Sequence, residues 1–305
     1  MAEEESTRTV VVAVIANLGI AVAKTVAALM TGSASMWAEA AHSVADSGNE
    51  VLLFVGLRRS ARGPDDRHPF GYGQERYFWA FLAALGIFLV GGVLSIGEGV
   101  RSLLAPEPLE SLWVGVAVLL VSAGFEGYSW FVAHRQLRRD ADEKKRSLMQ
   151  HLRRGDDPSA ATVFLEDSAA LIGLGLALAS LLLHAFTGWA GWDAVGSISI
   201  GVLLIVVAYL LARRSKALLL DESAPADVLG PIRASVAEAD WVERLDEAHA
   251  VYVGPSSLLV NLWVVPSGEM RGGSADELVV RVNEMRQRLL ADPGIDHVTV
   301  TVATD

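Results

Sequence analysis

The sequence predicts a membrane α-helical fold of six transmembrane helices followed by a small cytoplasmic ferredoxin-like α+β domain. Three observations carry that expectation. The 305 residues are 52% hydrophobic with a mean hydropathy of +0.37, too apolar for an ordinary soluble chain. Apolar runs of about 20 residues recur through the first two thirds and then stop. Basic residues gather in alternate connections between those runs.

The spans follow in order. The first covers about residues 9–30 and holds Asn17 and Lys24, seven apart and so near one face. The second, about 34–57, is broken by charges and is rescued by its flanks and by the need for an even count. The third is about 77–100. Its Gly91, Ser95 and Gly99 make a ridge of small residues that admits a close neighbour. The fourth is about 112–133, the fifth 161–186 and the sixth 192–212. Glu98 and Glu126, in spans three and four, are each able to line a path or to pair with a neighbour.

Arg58, Arg59, Arg62 and Arg67 follow span two. Eight basic residues from Arg135 to Arg154 follow span four, and Arg213, Arg214 and Lys216 follow span six. The other connections lack Lys and Arg apart from Arg101, so both termini are expected in the cytoplasm. Residues 135–158 carry both signs and read as a solvated helical hairpin or loop; their acids weaken a role in binding anionic lipid. The acidic start, MAEEEST, resembles neither a signal peptide nor a transit peptide. Span one is then its own uncleaved signal, and a bacterial plasma membrane is the expected location.

Residues 1–218 are expected to form the membrane domain and 219–305 the cytoplasmic one. From Leu219 the pattern is helix, strand, strand, helix, strand. Helix 225–239 is followed by strands 248–253 and 257–265 around Gly254-Pro255. Ser274 is the expected N-cap of a helix to Leu290, with Glu277 at the capping-box position, and residues 297–302 form the last strand.

Composition narrows the chemistry. There are no cysteines, so thiol chemistry is excluded and any metal must be held by His, Asp or Glu. A net charge of −11 argues against a nucleic-acid partner. Residues 35–52 read SMWAEAAHSVADSGNEVL. Glu39, His42, Asp46, Asn49 and Glu50 fall on one side of that helix, where ionisable groups mark a substrate or ion path. His42 and Asp46, one turn apart, offer an imidazole and a carboxylate to a divalent transition metal. Span five adds Glu166 and Asp167. A site of His42, Asp46 and Asp167, with a fourth position open to Glu166, Asn49 or water, would approach tetrahedral zinc coordination. The plain alternatives are an amphipathic helix on a soluble core, or a structural cluster of these acids with Lys24.

TGSASMWAEAAHSVADSGN, DDRHPFGYGQERYFWA, EDSAALIGLGL and LLLDESAP together resemble the cation diffusion facilitator family of metal/proton antiporters, most of all the branch typified by zinc transporter nine. The resemblance covers nearly the whole chain. It implies a homodimer that exports a divalent cation, zinc first, in exchange for protons, with no cofactor and with membrane lipid as surroundings. It also implies that helices one, two, four and five move against a pair formed by three and six. The family's pair of ligands on span two matches His42 and Asp46. Of the pair on span five, Asp167 matches the second, and the first falls on Val163, which cannot bind metal.

Two further departures accompany that one. In the D-x-x-H-x-x-x-H pattern after span two, Asp65 and His68 match but Tyr72 stands last, so a tight metal site is not expected there. In the C-terminal domain His249 and His297 lie on strands, and Leu262 replaces an expected ligand; regulatory zinc binding is not expected. Manganese, iron or cobalt would also suit an oxygen-rich site. A metal-gated channel or sensor could share the ligands without coupling protons. An intramembrane hydrolase would need a motif such as HExxH, which is absent, so the chain is not read as an enzyme.

Overall fold

The computed structural model describes residues 2–106, 108–143, 158–255 and 257–303, with side chains described for 17–106, 108–139, 141–142, 164–255 and 257–303. It contains two compact units, Met1–Gly56 with Phe78–Ser215, and Leu57–Tyr77 with Lys216–Asp305.

The first unit is helical. Its elements are α1 (Ala2–Thr31), α2 (Ala34–Ser60), α3 (Glu75–Leu104), α4 (Leu112–Glu143), α5 (Pro158–Thr187) and α6 (Gly191–Leu219). Among the described residues, α3 to α6 are each long and apolar enough to cross a membrane, and the apolar stretch Asn17–Thr31 of α1 is shorter. The last residues of α2 and α6 and the first of α3 belong to the second unit. The charges that interrupt α2 lower its hydropathy, as its sequence anticipates.

Gly32, at φ +66°, ends α1 in the left-handed conformation that glycine adopts without strain. After Ser33 α2 begins, and its first turn is capped from another element. Asp193, in the first turn of α6 and 3% exposed, accepts from Ser33 Oγ (2.6 Å), Ser35 Oγ (2.6 Å), Ser35 N (3.1 Å) and Ala34 N. A carboxylate is the favoured group at a helix N-terminus, where donors point outward and the dipole is positive.

The small-residue ridge of α3 does bring a neighbour close, and that neighbour is α6. A Cβ on Gly99 would lie 2.9 Å from the Ala194 carbonyl oxygen, and one on Gly201 would lie 2.8 Å from that of Gly92. Ser197 Oγ donates to the Ser95 carbonyl at 2.7 Å. Residues Ile87–Val93 of α3 form a π-helical turn on this contact.

The second unit holds α7 (Ala226–Ala237), β1 (Val242–Gly254), β2 (Ser257–Pro266), α8 (Gly268–Arg271), α9 (Ala275–Leu290) and β3 (Ile295–Val302). The sheet order is β1-β2-β3, antiparallel then parallel. Ser223 adds a lone bridge to Val251 on β1. Apart from the short α8, the helix–strand order is the one the sequence predicts for a ferredoxin-like domain. Leu258, Val260, Leu262 and Val264 alternate along β2 into a core shared with Leu229, Ile232 and Val236 of α7 and with Met285 and Leu289 of α9. Ser274 caps α9 by accepting from Asp276 N at 3.2 Å. β1 begins earlier than its apolar run, because the polar segment from Val242 still pairs with Pro266 and Val265 of β2.

Candidate metal centre

The polar face of α2 is shared between two neighbouring helices. α1 runs antiparallel to it and takes both of its ends: Lys24 Nζ donates to Glu39 Oε2 at 2.9 Å, and Asn17 Nδ2 donates to Glu50 Oε1 at 2.5 Å. Lys24 and Glu39 are both fully buried. On the other side, Asn49 Nδ2 donates to Glu166 Oε1 of α5 at 2.9 Å. A Cβ on Gly173 of α5 would come within 2.7 Å of Glu39 Oε1, so glycine there leaves room for the ion pair.

Between these paired groups lie His42 and Asp46. His42 Nδ1 is 3.4 Å from Asp46 Oδ2, the one-turn pair that the sequence spacing predicts. His42 is 3% exposed, yet neither ring nitrogen has a hydrogen-bond partner among the described residues. A buried imidazole with both nitrogens unsatisfied is energetically costly. Glu39, Lys24, Glu126 and Asp167 all lie within electrostatic reach of it.

The remaining candidates stand apart from that pair. Asp167 accepts from Ser129 Oγ of α4 at 2.7 Å, and Glu166 is turned to Asn49. The two adjacent acids therefore point to different partners, as neighbours on one helix must. Among the described residues, no three His, Asp or Glu side chains converge as a metal-holding group. The side chain of Val163 lies outside the described residues. Sequence reasoning did not identify Asp193 as the cap of α2, or Ser129 as the partner of Asp167. The Asp after Gly-Trp and the serines of TGSAS were the available signals, since Ser and Asp favour helix starts. Glu98, by contrast, pairs with Arg101 on its own helix at 2.6 Å.

The second motif has a structural occupant. In the loop before α3, Tyr72 Oη donates to Asp65 Oδ2 at 2.7 Å, while Asp65 Oδ1 accepts from the amides of Arg67 (2.9 Å) and His68 (2.8 Å). The Tyr72 hydroxyl and then the His68 amide hold the Asp65 carboxyl below its usual range, and Asp65 in turn raises the Tyr72 hydroxyl. Both carboxylate oxygens are thus engaged by the chain itself. Phe70 meets His297 edge-to-face at 5.0 Å, and a Cβ on Gly73 would overlap the Val253 carbonyl oxygen. In the sheet, Leu262 is fully buried in the core and His249 pairs with Glu247 at 3.1 Å on the surface.

Comparison with known proteins gives one family. The model of the cation efflux transmembrane domain matches residues 10–220. The human proton-coupled zinc antiporter SLC30A9, described as mitochondrial, is 39% identical over 64% of this chain and 35% of its own. Metal tolerance protein C4 of Arabidopsis thaliana is 33% identical over 76% of this chain and 51% of its own. Zinc transporter ZitB of Pectobacterium atrosepticum is 25% identical over 98% and 86%. The chain therefore spans about a third of the length of the SLC30A9 relatives it matches and most of the length of ZitB. With the family's domain covering the helices that carry His42, Asp46 and Asp167, this multi-pass membrane chain belongs to the cation efflux, or cation diffusion facilitator, family.

Proposed function

We propose that the chain exports a divalent metal cation, zinc in the first place, in exchange for protons. The cation is held within the membrane by His42, Asp46 and Asp167, with Glu166, Asn49 or water in the fourth position. The observation that carries this reading is His42, buried with both nitrogens unpartnered beside Asp46. The names of the relatives, zinc transporters and a proton-coupled zinc antiporter among them, support the same cargo and coupling.

Coupling follows from the ligands. Imidazole and carboxylate hold metal only when deprotonated, so metal loading releases protons and protonation expels the metal. In the described arrangement Asp167 and Glu166 are occupied by Ser129 and Asn49. A cation would compete for these carboxylates and draw α2 and α5 together. Movement of α1, α2, α4 and α5 against the interlocked α3–α6 pair would then alternate access. We further propose a homodimer in the cell membrane with both termini cytoplasmic, which the basic connections after α2, α4 and α6 support. The mitochondrial names of the SLC30A9 relatives make an organelle membrane the alternative destination.

Purified protein in vesicles tests the reading. Zinc uptake driven by an imposed proton gradient is expected, with proton counterflow that scales with metal flux. His42→Ala and Asp167→Ala should abolish it. Normal antiport by either variant would remove that residue from the site, and current without proton coupling would indicate a channel.

A further inference from the structure

α4 contributes no residue to the site as assigned so far, yet its inward face carries a carboxylate at the level of that site. Leu119, Ser122, Ala133 and Leu137 are 0–6% exposed, so positions 115, 119, 122, 126, 133 and 137 trace the buried stripe of α4. Glu126, half-buried, lies in the middle of that stripe and is the one ionisable residue among these positions.

Two registers fix its depth. α5 runs antiparallel to α4, with Gly115 against Leu181 and Ser129 bonded to Asp167. α5 also runs antiparallel to α2, with Glu39 against Gly173 and Asn49 bonded to Glu166. α2 and α4 therefore run in the same direction, and Glu126 falls level with the turn from His42 to Asp46. A direct contact agrees. A Cβ on Gly115 would lie 3.7 Å from Met36 Sδ of α2. Eleven residues on from Gly115 is Glu126 and ten on from Met36 is Asp46, each an advance of about 15–17 Å along a helix. Eleven residues are also three turns, so Glu126 points the same way as Gly115. Its carboxylate is within electrostatic reach of Asp46, Lys24, His42 and Asp167.

We propose that Glu126 is a further ligand for the divalent cation, contributed by α4 and supplying the carboxylate that Val163 cannot. The proposal rests on the transport reading above. Lys24 is already held by Glu39 at 2.9 Å, and His42, 3% exposed and unpartnered, is the group in the same layer that needs a cation beside it. Glutamate has the reach to meet a cation from a helix that offers no histidine, and a third carboxylate would shift the site toward harder divalent metals.

The test is zinc titration of the full-length protein in detergent, together with flux in vesicles. Glu126→Gln should weaken zinc binding and raise the transport KM by about tenfold or more, the scale on which metal sites respond to lost support. Glu98→Gln, whose carboxylate is bonded to Arg101, should leave both unchanged. Glu126→Asp keeps the charge but shortens the reach. It should fold, raise KM by several fold, and alter the zinc-to-manganese preference. Wild-type binding, KM and preference in both Glu126 variants, while Asp46→Ala and Asp167→Ala abolish transport, would overturn this assignment and leave the site intact. Undiminished transport by Asp46→Ala and Asp167→Ala would instead overturn the site itself.

Discussion

Asp193 Oδ1, at the start of α6, accepts a 2.6 Å hydrogen bond from Ser35 Oγ in the first turn of α2. The same carboxylate takes Ser33 Oγ and the Ala34 and Ser35 amides, so one buried side chain caps the helix that carries His42 and Asp46. Asp193→Ala is expected to lower stability by about 1–2 kcal/mol through the lost cap. It should also raise the KM for zinc, since the start of α2 is freed. Thermal unfolding in detergent and vesicle flux check the two effects.

Lys24 and Glu39 form an ion pair from which solvent is excluded. Removing one partner strands the other as a buried charge, at a cost of about 3–5 kcal/mol, whereas removing both costs far less. Lys24→Met alone should therefore be strongly destabilised, and Lys24→Met with Glu39→Gln should recover most of the loss. A double-mutant cycle on unfolding temperature measures the coupling. Additive losses would show that the pair contributes nothing as a pair.

The α3–α6 contact depends on glycine at a backbone crossing. A Cβ on Gly201 would lie 2.8 Å from the Gly92 carbonyl oxygen and 2.6 Å from Ile96 Cγ1, so the helices must separate to admit it. Gly201→Ala is expected to destabilise by about 1–3 kcal/mol. Gly97, on the same helix as Gly92, has nothing within 4 Å of its Cβ position. Gly97→Ala should be neutral or slightly stabilising, because alanine is the better helix former.

The loop before α3 should respond to acid. The carboxyl of Asp65 is held below its ordinary value by Tyr72 Oη and the His68 amide. A group with a depressed folded pKa contributes its stabilisation fully above the unfolded value of about 3.9 and loses it as pH falls through the folded value. Hydrogen exchange at Arg67 and His68 should therefore be pH-independent in protection near neutrality and lose protection below about pH 4. Tyr72→Phe should move that loss to higher pH, since the first cause of the depression is gone. An unchanged acid midpoint in Tyr72→Phe would show that the hydroxyl does not hold the carboxylate.

The sequence by itself determined the element order, the family and the one-turn pair. Hydropathy sets where helices can cross a bilayer, alternation sets the strands of the C-terminal domain, and the 3.6-residue period places His42 beside Asp46. The absence of cysteine restricts any metal to His, Asp and Glu. These are local or periodic properties, readable along one element at a time.

Tertiary structure alone decided which groups are spent on one another. Lys24 belongs to Glu39, Asn17 to Glu50, Asn49 to Glu166 and Ser129 to Asp167, and each pair joins residues at least 15 positions apart. Tyr72 turned out to occupy Asp65, and Leu262 to fill a core, where the sequence offered only an incomplete ligand pattern. The depth of Glu126 depends on two helix registers set by glycine contacts and side-chain hydrogen bonds. Such registers arise from packing between helices, and no periodicity within a single helix encodes the level at which its neighbour sits.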